Sequence, residues 1–193
     1  MIRCRLSIDT RVIGIFILST ALVTSAQTCK NSVVNFLGNP SKGNYTQLVN
    51  PRTSQELADC WSIIDTNEAL RTRADNLVTT GNEWTIRFVA STLKRLDGGS
   101  LEDALITLGR ASHRSPELLL SLANAGNISY KERGDAVTMR PETLIDKDKE
   151  SIDEMRARAE SFKSVRKPAL DRPKAYVLKQ LQGVIQELEN AGS

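Results

Sequence analysis

His113 is the single histidine of the chain, and that scarcity restricts the chemistry available. General acid–base work, nucleophile activation and most zinc sites rely on histidine. It sits in Ala111-Ser112-His113-Arg114-Ser115, where a dyad with Ser112 or Ser115 is conceivable. Neighbours in sequence, however, do not give a nucleophile and its base their opposed geometry. Asp146-Lys147-Asp148-Lys149-Glu150 alternates acids as a calcium loop does. The pattern then fails, with Ser151 where glycine is needed and Ala157 where a bidentate glutamate belongs. The adjacent acids Glu102-Asp103 and Asp153-Glu154 read as helix-start charges, since a glycosidase needs two acids set apart across a cleft. Arg133-Gly134-Asp135 is the tripeptide integrins read on exposed loops, and a turn explains it equally well. There is no phosphate-binding glycine loop, paired-cysteine zinc pattern or nucleophile elbow. No catalytic residue, metal ligand or cofactor is assigned.

Of the three cysteines, Cys4 lies in an opening segment with a different signature. Arg3, Arg5 and Arg11 precede an uncharged apolar run of twelve residues, Val12 to Val23, and Thr24-Ser25-Ala26 then offers small residues before Gln27. That order is the secretory signal pattern, and a membrane span needs about 20 apolar residues. Residues 1–26 are therefore expected to be a cleaved signal, which places the protein in the periplasm or outside the cell with no membrane span after cleavage. In an oxidising compartment the remaining pair, Cys29 and Cys60, is expected to form one disulfide.

Cleavage also alters the charge. Three of 26 Lys+Arg and one of 23 Asp+Glu fall in the leader, so the chain's +3 becomes +1 over the remaining 167 residues. Nucleic-acid affinity depends on many cations neutralising phosphates, and a nearly neutral domain offers little such drive. Eight aromatic residues after the leader are also few for a base-stacking surface.

The elements that must position these residues read as helices throughout. Residues 27–52 contain Gly38-Asn39-Pro40, Gly43-Asn44 and Asn50-Pro51, so an irregular arm stapled by the disulfide is expected. From residue 53 to 193 the expectation is one irregular all-α bundle of about six helices. Thr53 with Glu56 has capping-box spacing ahead of Leu57, Cys60, Trp61 and Ile64, with a break expected over Asp65 to Glu68. Asn82 is placed to cap a helix carrying Ile86, Val89, Leu93 and Leu96. Gly98-Gly99 is expected to end that helix, and Ser100 to start the next. Ser115-Pro116-Glu117 opens a helix bearing Leu118, Leu119, Leu120 and Leu122, expected to be the most buried element. Residues 127–140 fit a short helix begun by Ser129 and Glu132 better than a hairpin. From Pro141 a charged helix is expected to run into a final one, forming a helical hairpin over 141–191.

By elimination, the expected function is that of an exported, non-enzymatic protein-binding protein of inhibitor, immunity or chaperone type. A secreted hydrolase using carboxylate chemistry and a secreted effector acting on host cells are the alternatives. The candidate contact surface comprises Leu118, Leu119 and Leu122, if exposed, with Asp146, Asp148, Glu150, Asp153 and Glu154 on the charged helix. The partner and the oligomeric state are left open. Asn44 and Asn127 are glycosylation acceptors in a eukaryotic secretory pathway.

Overall fold

A computed structural model describes residues 28–124 and 128–191. The expected signal (1–26) and Asn127 lie outside the described residues. Those described form ten α-helices and no strand. In chain order they are α1 (28–38), α2 (Lys42–Val49), α3 (Ser54–Asp65), α4 (Glu68–Thr79) and α5 (Glu83–Thr92). Then come α6 (Gly98–Gly109), α7 (Pro116–Asn124), α8 (Tyr130–Thr138), α9 (Asp148–Lys163) and α10 (Asp171–Ala191).

The N-terminal segment differs most from expectation, since the irregular arm of 27–52 contains two helices. Its turn residues mark helix boundaries. Ser41 caps α2 by accepting from the Asn44 backbone N–H, and Pro40 falls in the link between α1 and α2. Cys29, Val33, Phe36 and Leu37 step by four, three and one, which is one face of a helix, and all four are buried. The disulfide from Cys29 joins α1 to Cys60 on α3, with the two Cα atoms 5.7 Å apart. Phe36 packs against Phe88 of α5 with ring centroids 5.5 Å apart.

A bridge with sequence separation 31 restricts the unfolded chain enough to contribute roughly 3–4 kcal/mol. Replacing both cysteines with alanine is therefore expected to lower the unfolding free energy in urea by about that amount. Alkylation of the non-reduced protein should leave Cys29 and Cys60 unmodified; labelling at either position would refute the bridge.

Several boundaries follow the cap residues closely. Thr53 and Glu56 close a reciprocal capping box on α3, Asn67 caps α4 after the polar break, and Asn82 caps α5. Ser129 and Glu132 form a second capping box, making α8 a helix. The count exceeds six because 28–52 contributes two helices and 53–191 holds eight. Two starts also move. The chain passes through a 3₁₀ turn at Leu93–Arg95, and α6 begins at Gly98, whose φ is +50°. The two glycines thus open a helix and do not end one. After Pro141 there is only a short 3₁₀ turn, Glu142–Leu144, and α9 starts at Asp148.

One cluster of buried residues extends from Cys29 on α1 to Leu181 on α10. Trp61 lies fully inside it and donates through Nε1 to the Ser100 carbonyl at 3.2 Å. Trp84 is half-buried against Tyr45. Helices α9 and α10 run antiparallel, since Arg156 pairs with Glu189 at one end while Lys174 reaches the Val165 carbonyl at the other. Their facing stripes place Met155, Phe162, Val177 and Leu181 in the core. The first turn of α9 holds Asp148 and Glu150 and its last turn Lys163, a polarity that suits the helix dipole. No helix among the described residues is long and apolar enough to cross a membrane.

Candidate functional site

The expected contact residues separate into interior and surface groups. Leu119 and Leu122 are fully buried, and Leu118 is half-buried. A leucine contact surface requires exposure, and Leu119 and Leu122 do not meet that condition. Hydrophobic spacing marks α7 as a strongly apolar helix, and these leucines face the core. Asp146 is exposed in the turn before α9, and Asp148, Glu150 and Asp153 are exposed along its start. Glu154 is half-buried and faces inward.

Glu154 belongs to a polar seam behind that surface. Its Oε1 accepts from Arg158 Nε at 2.8 Å and pairs with His113 Nε2 at 2.9 Å. Arg158 is 1% exposed, and its Nη1 donates to the carbonyls of Val137 at 2.9 Å and Met139 at 3.1 Å. Those carbonyls lie at the end of α8, where helix geometry leaves acceptors without intrahelical partners. A buried guanidinium therefore caps α8 while one carboxylate compensates its charge. Burial favours the neutral Glu154 carboxyl, but the hydrogen bonds and charges of His113 and Arg158 prevail and hold its pKa below the ordinary glutamate range. Helices α6 and α8 approach so closely here that a Cβ on Gly109 would sit 2.2 Å from the Ala136 carbonyl oxygen.

The serine–histidine dyad is not assembled. Ser112 is buried and donates to the Gly109 carbonyl, Ser115 is directed to the Gly81 carbonyl, and His113 turns to Glu154. Arg133-Gly134-Asp135 lies within α8 rather than on a loop. Arg133 is fully buried and donates from Nη1 to the Leu120 carbonyl, with its guanidinium 4.5 Å from the Tyr130 ring centroid. A side chain held there is closed to an integrin-type receptor. The calcium-like alternation is divided between a turn and the start of α9, and no group of three metal-ligating side chains occurs among the described residues. Asn44 is half-buried on α2, donating its side-chain amide to the Asn39 carbonyl.

One carboxylate pair escapes the sequence because its members are distant along the chain. Asp65, at the end of α3, and Asp103, on α6, both face Arg71 of α4. Asp65 Oδ2 also accepts from Ser100 Oγ at 2.8 Å. Burial pushes the Asp103 carboxyl above the ordinary aspartate range, aided by Asp65 and opposed by Arg71. Two neighbouring carboxyls are a pattern seen in hydrolases, but that chemistry also needs a cleft reaching both groups. Grooves run between α9 and α10 and between α5 and α7, and neither is lined by Asp65 or Asp103. A further pair continues along the same α4–α6 interface, where Asp75 accepts from Thr107 and pairs with Arg110. Arg71, Asp75, Asp103 and Thr107 together cross-link two helices. Only helical spacing on each, taken with the knowledge that α4 packs on α6, would have revealed them.

Protein-family models, curated proteins and solved structures were compared with the chain, and none matches.

Proposed function

We propose that this chain is an exported protein that acts by binding another protein through the exposed start of α9, and that it performs no catalysis of its own. The observation that carries this reading is how unevenly the polar groups are used. Arg158, Glu154, Arg71 and Asp75 are committed to holding helices together. Asp146, Asp148, Glu150 and Asp153 stand in solvent, Asp148 and Asp153 in open ion pairs with Arg140 and Arg156, and Ile145 is exposed next to Asp146. Acids with an apolar neighbour, carried on a braced helix, form a surface suited to contact with little ordering cost.

The leader-like residues 1–26 and the Cys29–Cys60 bridge support an oxidising destination, periplasmic or extracellular. The near-neutral charge after the leader gives no support to a nucleic-acid partner. Within this reading the chain is an inhibitor, an immunity protein or a chaperone.

Photo-crosslinking in the producing cells tests the surface directly. A photoreactive residue at Glu150 is expected to capture one discrete protein, and the same residue at Asp59, exposed on α3, is expected to capture none. Equal capture from both positions, or from neither, would remove the assignment.

A further inference from the structure

The groove between α9 and α10 indicates what kind of partner fits, an inference that rests on the protein-binding reading above. Ile152 of α9 and Leu188 of α10 line it, and both are only half-buried. Asp148 and Asp153 on one helix and Glu189 on the other add carboxylates to the lining, and Lys149 and Arg156 add cations. Its volume is about 420 Å³, enough for side chains inserted from a partner's surface.

A cation already occupies part of this groove. Arg156 reaches Glu189 at 2.7 Å through Nη2 and Asp153 at 3.8 Å through Nη1. Its side chain is 58% exposed, and the two acids are 44% and 64% exposed. Ion pairs so open to water are weak, so an incoming cation displaces this one at little cost. Asp146 and Glu150, on the same stretch as the groove, have no ion-pair partner among the described residues, and Ile145 beside them is 49% exposed. With Glu154 turned inward, the exposed residues of Ile145 to Arg156 and Gln186 to Glu189 carry six acids against three bases. Such a field attracts cations and repels phosphate-bearing surfaces, whether nucleic acid or anionic membrane.

We propose that the α9–α10 groove binds a basic amphipathic helix of a partner protein. One or two apolar side chains of that helix pack on Ile152 and Leu188. Its Lys or Arg residues take the place of Arg156 at Asp153 and Glu189. The mode is a helix laid in a groove, with electrostatics setting the approach and apolar anchors the residence.

The test uses a synthetic leucine–lysine amphipathic helix as probe, titrated into the disulfide-bonded protein at low salt and followed by fluorescence anisotropy. Controls are a scrambled peptide of the same composition and a peptide with glutamate for lysine. Binding is expected for the amphipathic peptide only. Combining Asp153→Lys with Glu189→Lys is expected to weaken it about tenfold or more, and Arg156→Gln to tighten it about threefold by removing the resident cation. Glu102→Lys, exposed on α6, is expected to leave it within about twofold of the original. Equal binding of the scrambled peptide, equal weakening by Glu102→Lys, or no binding at all would overturn the groove assignment. Circular dichroism of each variant separates lost binding from lost fold. A native partner whose binding ignores the charge reversals would refute the basic helix while leaving protein binding intact. If the exported fraction contains no partner, the protein-binding reading itself fails.

Discussion

Gly109→Ala is expected to destabilise the protein by about 3 kcal/mol or more, the high end for added atoms in a packed core. The added Cβ would lie 2.2 Å from the Ala136 carbonyl oxygen, 3.2 Å from its carbon and 3.3 Å from Arg158 Nη1. Two of those atoms are backbone, so no rotamer change relieves the contact, and α6 must separate from α8. Separation would also disturb Arg158, which joins the end of α8 to α9. Gly183→Ala on α10 is the matched control, because a methyl added there meets nothing within 4 Å. There alanine simply restricts the unfolded chain and is expected to add about 0.5–1 kcal/mol. Urea unfolding of the two variants measures both effects. A Gly109→Ala protein as stable as the original would mean that α6 and α8 are not in contact at this point.

Arg158→Met is expected to cost about 3–5 kcal/mol, the usual penalty for removing one member of a buried ion pair. Methionine fills similar volume, so the loss reports on polar groups. The Val137 and Met139 carbonyls lose their donor, and Glu154 keeps only His113. Lysine is expected to rescue poorly, since one ammonium cannot reproduce a planar fork that reaches a carboxylate and two carbonyls together. Adding Glu154→Gln to Arg158→Met should recover part of the loss, which a double-mutant cycle quantifies.

The pair also sets a pH dependence. The folded-state pKa of Glu154 lies below its ordinary range. Its contribution is therefore fully present above the ordinary glutamate pKa and is lost as pH falls through the lowered one. Stability measured from neutral pH downward should fall less steeply in Glu154→Gln than in the original protein. Identical acid slopes would show that the carboxylate is not held as described.

Local features of the fold are the most legible in the sequence. Thr53 with Glu56, Asn82 and Ser129 with Glu132 announce helix starts because a cap acts on the backbone within three residues. The Cys29–Cys60 pairing follows from counting. The turn residues of 38–51 mislead because glycine, asparagine and proline punctuate short helices as readily as irregular chain. The stripe Cys29, Val33, Phe36, Leu37 is the better guide. Gly98 illustrates a similar ambiguity, since a positive φ serves the entrance of a helix as well as its exit.

The polar interior is nearly invisible in the sequence for a different reason. Arg158, Arg133 and the Asp65–Asp103–Arg71 group acquire their character from helices that meet only in the folded chain. An arginine in a charged stretch reads as solvated until its helix is docked, and Glu154 reads as one more surface acid for the same cause. The other acids of α9 and its approach remain on the surface, from Asp146 to Asp153 and again at Glu160, and Glu154 alone among them turns inward.

Native mass spectrometry of the protein recovered intact from the exported fraction tests the functional reading most directly. The expected spectrum shows a chain beginning at Gln27, with the Cys29–Cys60 bridge formed, in a stoichiometric complex with a second protein. Reversing charge at Asp153 and Glu189 together should then release the chain as a free species. A chain recovered wholly uncomplexed, or one retaining Met1 to Ala26 inside the cell, would contradict it.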